Sequence, residues 1–167
     1  LRFNEEQARS QGRATSGVFG IRPRGEDCVI GLALVSVEQK LLVASENGIG
    51  KRTSFDDYRQ QSRGGKGVIT MKCTEKTGQV VGAAAVANDD ELMLMTTGGQ
   101  SIRIRVSDVR ETGRNAQGVK LVTLNEEEKL QDIAPVREST EEDPETENPE
   151  TENPETENPE TENPELS

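Results

Sequence analysis

The chain has 167 residues, with 20 Lys and Arg against 31 Asp and Glu, no histidine, two cysteines and a formal net charge of −11. That length admits one domain with an appendage, and the composition excludes a histidine–cysteine zinc centre and a disulfide framework. The charge is divided: residues 1–137 hold all 20 basic residues and 18 acidic ones, a balance of +2, whereas 138–167 hold 13 acidic residues and no basic one.

In chain order, the pattern Arg, six residues, Arg, three residues, Arg, three residues, Gly-Val comes first at Arg2, Arg9, Arg13 and Gly17-Val18. It returns at Arg52, Arg59, Arg63 and Gly67-Val68, and again at Arg103, Arg110, Arg114 and Gly118-Val119. Apolar runs end in step with it at Val35, Val86 and Val136. Such a repeat of supersecondary size is read before any single element. The chain opens at Leu1, not Met, in the middle of a unit: "LRF" matches "KRT" at 51–53 and "IRI" at 102–104. A fragment is therefore expected, of a domain about twice as long, since blades of this kind close only in numbers.

Each unit reads as strands. "KLLVAS" (40–45) leads through Asn47-Gly48 into "IGKRTSF" (49–55). "VITMKCT" (68–74) precedes a turn at "EKTG" (75–78), and "QVVGAAAVA" (79–87) is an apolar run of buried-strand type. After the polar break Asn88-Asp89-Asp90 come "ELMLMTT" (91–97), a turn at Gly98-Gly99, and "QSIRIRV" (100–106). In the last of these Ile102, Ile104 and Val106 alternate with Arg103 and Arg105, the period of a half-buried strand. Asn-Gly and Gly-Gly suit the φ > 0 turns of tight hairpins. The expected fold is all-β, with propeller-like blades of about four antiparallel strands near 1–35, 36–86 and 87–137. Cys28 and Cys73 are expected as half-buried strand thiols in a reducing cytoplasm. No apolar run has the length of a membrane span, and no signal peptide is visible.

The loop joining one unit to the next reads "RSQGRATSGV", "RQQSRGGKGV" and "RETGRNAQGV". A Walker-type phosphate loop needs GxxxxGK[ST] ahead of a helix, and here Lys66 is followed by Gly67 and a β-branched run. Gly17, Gly67 and Gly118 are expected simply to permit a left-handed or bulged turn. The cations beside them have two candidate uses: internal pairing with acids such as Glu6, Asp56, Asp57 or Asp108, and contact with phosphate. For Arg63 and Lys66 the second is favoured, because Gly64 and Gly65 are expected to bare backbone N–H groups beside a forked guanidinium and a point charge.

"QSRGGKG" (Gln61–Gly67) resembles the Q-R-R-G-G-K-G box of the C-terminal domain of DNA gyrase A subunits, six of seven positions agreeing. "NGIGKRTSFDDYR" before it, and "ELMLMTTGGQSIRIRVSDV" and "GRNAQGVKLV" after it, extend the resemblance over residues 1–137. The resemblance implies a β-pinwheel that wraps duplex DNA around its rim, so that the enzyme introduces negative supercoils with ATP hydrolysed on a partner B subunit. It carries a DNA-contacting role onto Gln61, Arg63, Gly64, Gly65, Lys66 and Gly67. By internal symmetry it extends more weakly to Arg9, Arg13, Arg59, Arg110 and Arg114. Ser62 departs from the box, where the family has arginine, and only one further repeat follows. A secondary, box-like copy in the penultimate blade is therefore expected.

The resemblance also implies partners: double-stranded DNA, and the B subunit of gyrase with a second A subunit through other domains. It implies no membrane contact and a cytoplasmic, chromosome-associated location. No cofactor is expected in this chain, ATP and magnesium being used elsewhere in the holoenzyme. Catalysis is not expected either, since Tyr58 stands where the sister repeats have Ala8 and Val109 and reads as a packing residue. Two rivals remain: the C-terminal domain of topoisomerase IV, and a protein-binding propeller. The second needs aromatic hot spots, and the body holds only Phe3, Phe19, Phe55 and Tyr58.

"PETEN" repeats four times from Pro144 to Asn163, without apolar content, and is expected to be disordered. It serves either as a solubility tail or as a tethered line of carboxylates that competes with DNA for basic loops. If it competes, deleting residues 138–167 tightens duplex binding at low salt. Unchanged affinity in that titration would leave only the solubility role.

Overall fold

The computed structural model describes residues 1–137. The PETEN tail, with its expected disorder, lies outside the described residues. The fold is all-β, built on two antiparallel hairpins. In the first, β1 (Lys40–Ser45) turns into β2 (Ile49–Ser54); in the second, β4 (Glu91–Thr96) turns into β5 (Ser101–Arg105). The turns are alike. The Gly48 N–H returns to Ser45 O at 2.9 Å and the Gly99 N–H to Thr96 O at 3.0 Å, with φ of 73° and 79° that a side chain would resist.

Each hairpin then receives a strand from later in its own repeat. β3 (Val80–Val86) lies antiparallel to β1, with Leu42 opposite Ala84. β7 (Leu130–Val136) lies antiparallel to β4, with Leu94 opposite Ile133. Both ladders slip at the same place, between Ala44 and Ser45 and between Met95 and Thr96. A seventh strand breaks the symmetry. β6 (Val119–Lys120) comes from the last repeat yet pairs with β2 of the one before, Val119 opposite Gly50. The sheets are therefore four-stranded, β3-β1-β2-β6, and three-stranded, β5-β4-β7.

Side-chain alternation sets the core. On β4, Leu92 and Leu94 are fully buried while Met93 and Met95 are half-buried; on β5, Ile102 and Ile104 pack inward and Arg103 and Arg105 face water. Leu42, Ala44, Val86, Val106, Val109, Leu130 and Ile133 complete one cluster shared by both sheets. Each fully buried leucine there contributes about 1.5–3 kcal/mol. The sheets meet along β3 and β7, where a Cβ placed on Gly82 would lie 2.5 Å from Ile133 Cγ1. Only hydrogen fits between them.

The strands expected in the blade near 1–35, and the one expected over 68–74, are missing. Residues 1–39 form no ladder strand, only a 3-10 turn at Glu5–Gln7 and the single bridges Arg2 to Gln60 and Ile21 to Gly65. Residues 68–74 are irregular too. Both segments lack a ladder partner among the described residues, whereas β3, β7 and β6 each pair with a strand earlier in the chain. Cys28 and Cys73 lie in these irregular segments and are exposed, not half-buried strand thiols. Among the described residues no helix is long and apolar enough to cross a membrane.

Gly82→Val should lower the urea midpoint, with a loss of about 1–3 kcal/mol from overpacking against β7. Gly12→Ala, where a Cβ would meet nothing within 4 Å, should be close to neutral in the same assay. Equal midpoints for the two variants would contradict the close β3–β7 approach.

Candidate nucleic-acid interface

The loop between repeats is a seat, not a free turn. At the first junction the Gln61 N–H donates to Arg2 O at 2.8 Å and the Arg63 N–H to Gln7 Oε1 at 2.8 Å. The Arg63 guanidinium spans the gap, donating from Nε to Gln7 O at 2.8 Å and from its terminal nitrogen to Phe19 O at 3.1 Å. The Gly64 N–H donates to Gly20 O at 2.6 Å, and Gly65 O accepts from the Arg22 N–H at 3.0 Å. Gly67 lies against Leu1. Backbone amides obey a strict demand for partners, and the carbonyls of the preceding repeat, outside any ladder, supply them.

The second junction repeats the first. The Arg114 N–H donates to Asp57 Oδ2 at 3.1 Å, and its guanidinium to Ile69 O at 2.6 Å. Arg52, almost buried, donates from Nε to Val109 O at 2.6 Å and to Asn88 Oδ1 at 2.9 Å. Lys51 is fully buried and donates to Gly113 O at 3.2 Å and Arg114 O at 2.5 Å. Burial, and secondarily the Arg114 charge, push the Lys51 pKa down, with Asp57 opposing.

This corrects two local expectations, that Arg63 has no internal partner and that the Gly64 backbone is bare. Arg63 is bound internally, though to carbonyls and not to acids, and the Gly64 N–H is not bare. Arg114 does the same work as Arg63, so neither guanidinium is free in this geometry. Of the expected acid partners, Asp56 reaches Arg2 at 3.6 Å and Asp57 takes the Arg114 backbone. Sequence reasoning did not assign Arg2, Arg52 or Lys51 to the junctions. The repeated arginine flagged the first two as recurrent but not what they hold, and Lys51 has apolar sisters in Leu1 and Ile102.

What remains exposed is a set of cations carried by the clamped loops. Arg9, Arg13, Arg59, Lys66 and Arg110 are exposed, and none is in an ion pair among the described residues. Gln7, which receives Arg63, ties the Arg9–Arg13 segment to the Lys66 loop. Gln61 is half-buried, and its Nε2 is buried without a partner. Tyr58 is buried, its hydroxyl 2.5 Å from Thr70 Oγ1, as a packing residue should be. Among the described residues no group of three or more His, Cys, Asp or Glu side chains could hold a metal ion. A scaffold that fixes scattered exposed cations can meet several phosphates at once without reading bases.

The family model of the DNA gyrase C-terminal domain, beta-propeller, matches residues 1–36, 39–87 and 90–137. The DNA gyrase A subunit of Deinococcus deserti is 49% identical over 146 residues, covering 84% of this chain and 18% of that protein. The A subunit of Helicobacter pylori gyrase is 45% identical over 143 residues, covering 84% of this chain and 17% of that protein. The chain thus spans under a fifth of the length of these relatives. A solved gyrase A C-terminal domain superposes with a TM-score of 0.72 at 31% identity, covering 80% of this chain and 45% of that one. The C-terminal domain of a DNA topoisomerase IV superposes at 0.74 with 20% identity, covering 80% and 42%, a likeness of fold.

Because folding lowers the Lys51 pKa, the unfolded chain binds more protons here between the folded value and about 10.4. Stability from this site is therefore complete above about pH 10.4 and is lost as pH falls through the folded pKa. Relative to Lys51→Met, the parent chain should gain stability from neutral pH to about pH 10 in paired urea titrations. Parallel pH curves would mean that the buried amine titrates like one in water.

Proposed function

The chain belongs to the DNA gyrase C-terminal domain family, and from that premise we propose that it binds double-stranded DNA along its junction loops and helps to wrap it. In this reading the chain serves ATP-dependent negative supercoiling by a whole gyrase, in the bacterial cytoplasm. The B subunit of the enzyme and a second A subunit contribute through other domains, ATP and magnesium are used there, and this segment holds no catalytic group of its own.

One observation carries the reading: exposed cations recur on loops whose main chain is clamped to the preceding repeat. Lys66 at the first junction and Arg110 at the second sit beside arginines that are already committed to carbonyls. Clamping holds the charges in place before DNA arrives, which lowers the ordering cost of binding. Phosphate contacts of this kind fix the path of a duplex and leave sequence preference to its deformability. The box therefore divides its labour. Arg63 and Gly64 build the seat, while Lys66, with Arg9, Arg13, Arg59 and Arg110, offers charge. The level of identity to gyrase A subunits favours gyrase over topoisomerase IV, whose likeness is one of fold.

The test is a salt series with a ~40 bp duplex and the full chain, in which log K should fall linearly with log salt. Lys66→Ala, Arg59→Ala and Arg110→Ala should each reduce the slope by about 0.9 for every phosphate the side chain neutralises. Arg63→Ala should instead lower the unfolding midpoint. A slope indifferent to all three exposed cations would refute the proposal.

A further inference from the structure

Phe19 is 72% exposed and Ile69 70% exposed, although both are large apolar side chains. Single exposed hydrophobics are ordinary and need no explanation. These two occupy one place in the repeat, two residues after Gly17 and Gly67. Their carbonyls are also the ones that the junction arginines grip: Arg63 holds Phe19 O and Arg114 holds Ile69 O. The main chain is pinned while the side chain faces water.

Lys120 is the third residue at this place, two after Gly118. There β6 has its partner strand β2, and Lys120 is still exposed. At all three junctions, then, the side chain at this place is exposed. Charge lies beside Phe19. The Arg22 guanidinium lies 5.8 Å from the Phe19 ring centroid, and the Arg22 N–H is bonded to Gly65, the residue before exposed Lys66. Apolar prongs standing among cations suit a ligand with an anionic edge and an apolar interior, and a duplex is such a ligand.

We propose that Phe19 and Ile69 are non-electrostatic DNA contacts, prongs pressed into the minor groove of the bent duplex, and that Lys120 supplies a phosphate contact at the same place in the third repeat. The proposal rests on the DNA-wrapping reading. Side chains of this kind enter base steps of bent DNA and partly unstack them, so that the duplex follows the protein surface. In this way the first two repeats set curvature, and the third adds charge.

The test uses the full 167-residue chain and a ~40 bp duplex labelled at both ends, read by energy transfer for bend and by titration for affinity. Phe19→Ser combined with Ile69→Ser should lose about tenfold in affinity, relax the bend and keep the salt slope. Phe19→Leu combined with Ile69→Leu, which keeps apolar prongs, should retain the bend. Lys120→Ala should keep the bend and lower the slope by about 0.9. A serine variant that bends and binds DNA like the parent overturns the proposal but leaves wrapping intact. So does one that changes only self-association in sedimentation, since the prongs would then join copies of the chain. A parent chain that binds no duplex at any salt removes both readings together.

Discussion

The structure depends on arginines that cross from one repeat to the main-chain carbonyls of the repeat before. No single unit can bury both faces of its sheet, so neighbours must adhere. An apolar interface alone would not satisfy the loops, whose carbonyls have no ladder to join. A hydrogen bond from a charged donor contributes about 1.5–3 kcal/mol, roughly twice a neutral one. Arg63 and Arg114 make such bonds to carbonyls of the repeat before, and Arg52 makes one in the other direction, to Val109 O of the repeat after. Because the acceptor is backbone, the partner residue can vary freely: Phe19 at one junction is Ile69 at the next.

That freedom separates architecture from ligand contact. Within one loop Arg63 faces the neighbouring repeat and Lys66, three residues on, faces solvent; in the sister loop Arg114 faces inward and Arg110 outward. Lys51 shows the limit of the arrangement. It too bonds to two carbonyls, but as a compact ammonium fully removed from water it carries a desolvation cost that a guanidinium, more weakly hydrated, bears better. Arg103, the third arginine of its series, has no later loop among the described residues to hold and pairs with Glu91 on the neighbouring strand β4 instead.

Much of this was legible in the chain itself. Spacing announced the repeat, the Ile102–Ile104 alternation announced β5, and Asn47-Gly48 announced the first hairpin, because periodicity and φ > 0 turns are local physics. Two kinds of feature were not legible. A guanidinium has the same chemistry whether it meets a carbonyl or a phosphate, so the sequence did not announce the hold of Arg63 on Gln7 O and Phe19 O. Strands whose partners are remote in sequence, such as the two-residue β6, leave no periodic trace, and Val68–Thr74 read as a strand because its composition fits one. Cys28 and Cys73 went astray with those segments.

The exchange of β6 has an evolutionary side. The sequence repeat closes at Val35, Val86 and Val136, but the sheet of the middle unit closes only when Val119-Lys120 arrives from its neighbour. A recombination event that excised the last unit at the sequence boundary would strip the outer edge of β2 and leave an unpaired strand, a template for aggregation. Duplicating the last unit at the same boundary would do no such harm, since the added copy brings a second segment like β6. Arrays of this design lengthen more easily than they shorten.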